Sequence, residues 1–283
     1  MTRLRHAGTA HQVRLVHHSA GRNPLGWAEH APYDRIIATV GAWDIPPAWV
    51  TQLAADGRLV MPLDLRGPQR SIAWQRVNDH LESVSVVRCG FIRLRGAFAD
   101  PIPIRQIGLE PPVFLGTAEH HVVDEDALTA ALAEPGTDVP SGVRATLDEV
   151  SDGLSLWLPL HQPAMAWLSS IGAAADRALA LRAYYAPRNP TGLGTAVLVG
   201  TDSLAALVRL DDKQPFELGA LPLGPDGHRL AQRLVEHIQD WDTHGRPGTT
   251  GLHVADYPND TNPADADVVI DKRYNRLALT WAS

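Results

Sequence analysis

Between Pro32 and Leu63 the chain reads strand, helix, strand at a spacing that suits a parallel crossover. Pro32-Tyr-Asp34 is a turn signal. Arg35-Ile-Ile-Ala-Thr-Val40 is an apolar run stopped by Gly41, the pattern of a buried strand. Pro46-Pro47 opens a helical stretch through Leu53, where proline gives up an N–H that has no partner within the helix anyway. Asp56-Gly57 ends it, and Arg58-Leu-Val-Met-Pro-Leu63 is the next strand. A brief strand is expected at 13–16. Residues 71–77 and 81–87 flank the polar turn Asn78-Asp79-His80 and predict an antiparallel hairpin at the end of a mostly parallel sheet.

Around Asp100-Pro-Ile-Pro103 the texture changes to a Pro-rich connector, which sets an expected boundary between residues 1–98 and 99–283. Beyond it, helices are predicted over 124–133, 163–184 and 226–244. In the last of these Leu230, Leu234, Ile238 and Trp241 form one apolar stripe. Strands are predicted over 195–199, 203–210, 267–270 and 276–281, so this part reads as an α+β domain. The acidic run Asp124-Glu-Asp126 suits a helix start, where negative charge meets the positive end of the dipole.

Composition excludes several function classes. A formal net charge of −7 disfavours a general role on nucleic acid, where a basic surface supplies most of the affinity. No apolar run is long enough for a membrane helix, and no apolar stretch follows the N-terminal arginines as a secretory signal requires. A single cysteine, Cys89, rules out an internal disulfide framework; it reads as a small buried hydrophobe. A cytoplasmic protein with no membrane partner is expected. His17-His18 and His120-His121 lack further ligands at useful spacing, so no metal is expected. Gly192-Leu-Gly194 precedes a strand where a phosphate-cradling loop would follow one, and reads as a turn between elements. The loop Thr39-Val-Gly-Ala-Trp43 lies at the carboxyl end of a parallel strand, where open α/β sheets place ligands; plain tight packing is the other reading of its small residues.

The continuous segment Gly26-Trp-Ala-Glu-His-Ala-Pro-Tyr-Asp-Arg-Ile-Ile-Ala-Thr-Val-Gly-Ala-Trp-Asp-Ile-Pro-Pro47, with its continuation Gln52-Leu-Ala-Ala-Asp-Gly-Arg-Leu-Val-Met-Pro62, resembles the protein-L-isoaspartate O-methyltransferases. The likeness extends over roughly residues 10–96. It implies an α/β fold with a partial class I (Rossmann-like) methyltransferase sheet lacking its first strands, plus the C-terminal α+β domain. It implies S-adenosylmethionine as cofactor, with Ser19, Gly21, Thr39 and Gly41 on the cofactor side. Val40, Ala42, Trp43, Phe91 and Arg93 would lie on the substrate side. The tail Val269-Ile-Asp-Lys-Arg273, with a last strand ending at Trp281, resembles the FxLD-system methyltransferases that accompany lanthipeptide genes. That implies methylation of an aspartate carboxylate on a ribosomal precursor peptide.

The family's Gly-rich cofactor turn and the acid that takes the ribose hydroxyls have no counterpart in this sequence and would fall upstream of Met1. The strand at 35–40 is therefore expected to present an unpaired apolar edge, open to a second chain that completes the sheet. Two readings follow: a methyltransferase of the isoaspartyl type, or a non-catalytic homologue that binds a peptide or partner.

Overall fold

The structure is a computed structural model that describes residues 2–6, 9–13, 26–94, 104–109, 112–117, 121–171 and 192–282. Thr2–His6 (β1) and Thr9–Val13 (β2) pair antiparallel in a small sheet of their own. After a short 3-10 turn, Tyr33–Ile37 (β3) passes through loop 38–46 into Pro47–Gln52 (α1), and Leu53–Asp64 (β4) returns parallel to β3. The expected crossover is therefore present. Gln69–Val77 (β5) and His80–Arg88 (β6) form the expected hairpin, with Asn78 at φ 55 in its turn. The sheet is not mostly parallel, however: β3–β4 is its one parallel strand pair among the described residues. The cause lies in the connection. Only four residues separate β4 from β5, far too few for the crossover a parallel neighbour needs. The strand expected at 13–16 falls mostly outside the described residues.

The middle of the chain builds a second sheet. Its elements are Ile104–Leu109 (β7), Pro112–Gly116 (β8), Glu125–Ala133 (α2), Val139–Ala145 (β9), Leu147–Glu149 (α3), Ser155–His161 (α4), Met165–Ile171 (β10), Gly192–Val199 (β11), Leu204–Arg209 (β12), Phe216–Leu223 (β13) and Gly227–Thr243 (α5). Seven strands run antiparallel in the order β7-β8-β10-β11-β12-β13-β9. Because successive side chains face opposite sides of a strand, β12 feeds two cores. Ala205 and Leu207 meet the predicted α5 stripe of Leu230, Leu234, Ile238 and Trp241. Leu204, Ala206 and Val208 meet Leu128 and Ala131 of α2 on the other face. The Asp124 carboxylate accepts from Ala127 N at 3.0 Å, which caps α2 as its acidic start suggests.

Two expectations fail here. Residues 165–171 form the strand β10 instead of the start of a helix, held between β8 and β11; 172–184 lie outside the described residues. Gly192-Leu-Gly194 is the start of β11 and not a turn. A Cβ on Gly194 would sit 2.5 Å from the Trp167 indole, so glycine is needed there for the ring to cross the neighbouring strand.

The last strands return to the first sheet. Leu252–Pro258 (β14) pairs with β6, Asn275–Trp281 (β16) with β14, and Val268–Asp271 (β15) with β16. The order is β15-β16-β14-β6-β5-β4-β3, so this sheet draws strands from both sides of the Pro-rich connector. Leu252, Val254, Ile270, Leu277 and Leu279 share one core with Leu59, Met61, Leu63, Ile72 and Trp74. The segment 147–161 joins the two sheets: Leu154, Trp157 and Leu158 enter the α5 core, while Leu156 and Leu160 enter the β4–β5 core. Among the described residues no helix is long and apolar enough to cross a membrane.

Candidate functional site

The loop after β3 is built by two sets of backbone bonds. Gly41 donates to the Ile92 carbonyl at 2.9 Å and accepts from Leu94 N at 2.8 Å. Ala42 donates to the Pro62 carbonyl and accepts from Asp64 N, each at 2.9 Å. Residues 92–94 therefore lie along one side of the loop and the end of β4 along the other. Gln69 ties the arrangement together, since its Oε1 accepts from Phe91 N at 2.8 Å and its backbone carbonyl from Cys89 N at 3.4 Å.

This contact leaves no room for a side chain at position 41. A Cβ on Gly41 would stand 2.4 Å from Gln69 Nε2. Gly41→Ala must push the amide aside and strand the Phe91 N–H, at a cost of about 1–2 kcal/mol. Amide exchange should speed up over 89–94 while the β5 core stays protected; unchanged exchange there would contradict this role for Gln69.

The structure brings Val40, Trp43, Phe91 and Arg93 to one end of β3 but divides their surroundings. Ala42 is 1% exposed and belongs to the core, so its methyl does not reach the surface. Gly41 is buried and Thr39 exposed. Phe91 is exposed, and Arg93 pairs with the buried Asp64 carboxylate at 2.6 Å and donates to the Gly67 carbonyl at 2.9 Å. Trp43 faces Lys272, whose Nζ lies 4.8 Å from the ring centroid and donates to the Asp64 carbonyl at 2.9 Å. Ser19 and Gly21 lie outside the described residues. The edge of β3 carries Ile37 at 68% exposure, and Trp27, Phe91 and Ile92 are exposed nearby in sequence or across the loop.

Behind the loop lies a buried polar group that the sequence reading missed. Asp44 accepts from Ile45 N at 2.8 Å and from Tyr274 N at 2.9 Å, which fastens the loop to the turn before β16. Burial pushes its carboxyl up, and those backbone donors and Lys272 pull it back. Burial, with Asp44 as the second cause, pushes Asp256 on β14 up to about 8. Asn275 reaches the Ile45 carbonyl at 3.5 Å. A charged residue inside an apolar stretch, as in Trp43-Asp-Ile45 and Val254-Ala-Asp256, was the available signal. A separate surface depression of about 460 Å³, lined by Glu134, Asp138, Pro222 and His228 among others, shares no residue with this site.

Residues 2–98 match the family model "Protein-L-isoaspartate(D-aspartate) O-methyltransferase (PCMT)". The N-terminal third is isoaspartyl-methyltransferase-like. Protein-L-isoaspartate O-methyltransferase 1 of Pelobacter propionicus is 44% identical over 75 residues, covering 26% of this chain and 35% of that protein. The Hyperthermus butylicus protein-L-isoaspartate O-methyltransferase is 36% identical over 96 residues, covering 34% and 39%. The chain thus spans little more than a third of the length of these curated relatives. A solved protein-L-isoaspartate O-methyltransferase aligns over 92% of this chain and 57% of its own, at 14% identity and a TM-score of 0.30, too low to carry an argument. The isoaspartyl-methyltransferase-like segment contains loop 38–46 and residues 91–94 in full, and Asp256, Lys272 and Asn275 lie beyond it.

Proposed function

We propose that the chain serves S-adenosylmethionine-dependent methylation of an aspartate carboxylate on a ribosomally made peptide, as FxLD-type maturation requires. The observation that carries this reading is the matched segment 2–98, whose loop 38–46 sits at the carboxyl end of parallel β3 beside residues 91–94. Open α/β sheets bind ligands at that position. The half-buried Val40 and Trp43 with the exposed Phe91 and Arg93 offer apolar contact and one guanidinium to an acidic peptide, with Asp64 holding that guanidinium in place.

S-adenosylmethionine supplies the methyl group when bound. Of the residues expected on the cofactor side, Thr39 is exposed at the strand end, Gly41 is buried with its N–H and carbonyl both engaged, and Ser19 and Gly21 lie outside the described residues. No Gly-rich strand–turn–helix occurs among the described residues. The chain's own contribution is positional. In-line transfer to an ionised carboxylate asks mainly that both reactants be held in an attack geometry, which contributes on the order of 7–11 kcal/mol.

The exposed edge of β3 favours a second reading, a non-catalytic module that binds a peptide or a second chain completing the sheet. Parallel strands are normally covered on both faces, and here Asp34, Arg35 and Ile37 are exposed. Isothermal titration separates the two. Micromolar binding of S-adenosylmethionine, with S-adenosylhomocysteine competing, supports the methyltransferase reading. A folded protein that gives no heat with either ligand supports the binding module.

A further inference from the structure

Two buried oxygens behind the loop have no hydrogen-bond donor: Asp256 Oδ1 and Asn275 Oδ1. Both residues are 7% exposed, and Asp44 is 1% exposed. Their placement is set by register. Asp256 on β14 pairs with Leu277 on β16, and Asn275 lies two residues before Leu277, so both side chains belong to the same sheet face and are diagonal neighbours. That face carries Val254 and Leu277 of the core, against which loop 41–46 packs. Asn275 meets the carbonyl of Ile45, whose N–H binds Asp44, and Asp44 and Asp256 are close enough to repel.

A buried acceptor with no donor costs free energy, and a buried carboxylate costs more unless it is paired or holds a metal. Three elements thus bring buried oxygens together. The donor set is oxygen only, two carboxylates and one amide carbonyl, with no sulfur or imidazole, and so suits a hard cation in preference to zinc or copper. Lys272 draws the Asp44 carboxyl down, and its Nζ donates to the Asp64 carbonyl at 2.9 Å.

We propose that Asp44, Asp256 and Asn275 form a binding site for a hard divalent cation of the Ca2+ type, which locks loop 38–46 to strands β14 and β16. The site takes Asp44 from the loop but none of Val40, Trp43, Phe91 or Arg93, and it holds whether or not the chain binds S-adenosylmethionine.

The test uses the full chain, stripped with chelator and then titrated with CaCl2 or MgCl2 alone. The wild type should gain a rise in Tm that grows with the logarithm of free metal above Kd and reaches about 3–5 °C at a hundredfold excess, by mass action on the folded state. Asp256→Asn should abolish the rise, and Asn275→Ala should weaken the apparent affinity at least about tenfold, each compared with its own metal-free melt. Luminescence of Tb3+ sensitised by nearby tryptophan and displaced by Ca2+ gives a readout on the wild type that does not depend on the variants folding. No Tm rise with either metal up to millimolar concentration, an equal rise in Asp256→Asn, or Tb3+ that Ca2+ fails to displace would overturn the site.

Discussion

Asp256→Asn should make the metal-free protein more stable at neutral and alkaline pH and remove the fall in stability that Asp256 imposes between about pH 4 and about pH 8. Asp256 is 7% exposed, and burial beside Asp44 raises its carboxyl from the ordinary 3.8 to about 8. A carboxyl raised in the folded state favours folding most at low pH, where both states hold the proton. Above the unfolded value the unfolded chain releases its proton and the folded chain does not. Stability therefore falls as pH rises from about 4 to about 8, by up to ~1.4 kcal/mol per pH unit, and then levels off. Asp44 shifts in the same direction, so the pair titrates as one system, and removing one charge relieves the other. Asparagine keeps the size and adds a donor, so a gain of a few kcal/mol at pH 8 is the expected scale. Urea midpoints across pH 4 to 9 in chelator decide it. Parallel curves for wild type and variant would show that Asp256 is solvated or otherwise paired.

The second large effect concerns the joint between the sheets. Arg70 of β5 is 1% exposed. Its guanidinium donates to Thr249 Oγ1 at 2.8 Å, to the Asp152 carbonyl at 2.8 Å and to the Gln69 carbonyl at 3.1 Å. The Asp152 carboxylate lies 4.0 Å away and binds both the N–H and the hydroxyl of Thr249. Removing the anion leaves a buried cation short of compensation, whereas replacing the cation by an apolar side chain of similar length leaves a carboxylate that is 32% exposed and that water can reach. Asp152→Ala should therefore cost about 3 kcal/mol, more than Arg70→Met, and the double variant should recover part of the loss. Equal losses that simply add in a double-mutant cycle would show that the pair is not coupled.

How much of this was legible in the sequence depends on whether the signal was local. The crossover from β3 to β4 and the hairpin of β5 and β6 were readable because Pro, Gly and Asn mark their ends and each strand pairs with a near neighbour. The α5 stripe was readable because four apolar residues at helical spacing have one face to bury. β10 was misread because Ser170, fully buried, breaks the apolar alternation, and its hydroxyl donates instead to the Pro112 carbonyl. β13 passed unseen behind Gly219 and Pro222, which read as loop residues but sit in a strand between β12 and β9. The return of β14 to β6 joins residues more than 170 apart, a pairing no local pattern encodes. The loop 39–43 was found from its place after a strand, while its partners Asp64, Asp256, Lys272 and Asn275 became visible only once the last strands were in position. Ala42 shows the limit of that reading, because a small residue in a ligand-bearing loop can still face the core.

Carboxyl methyl transfer by this chain is open to a direct assay. The folded 283-residue chain should be incubated with S-adenosylmethionine labelled in the methyl group and an acidic peptide containing aspartate. The expected result is label on the peptide that mild base releases as methanol, the signature of a carboxyl ester. Peptide that stays unlabelled in the presence of demonstrably folded protein would contradict it and leave the segment around β3 as a surface that binds without catalysis.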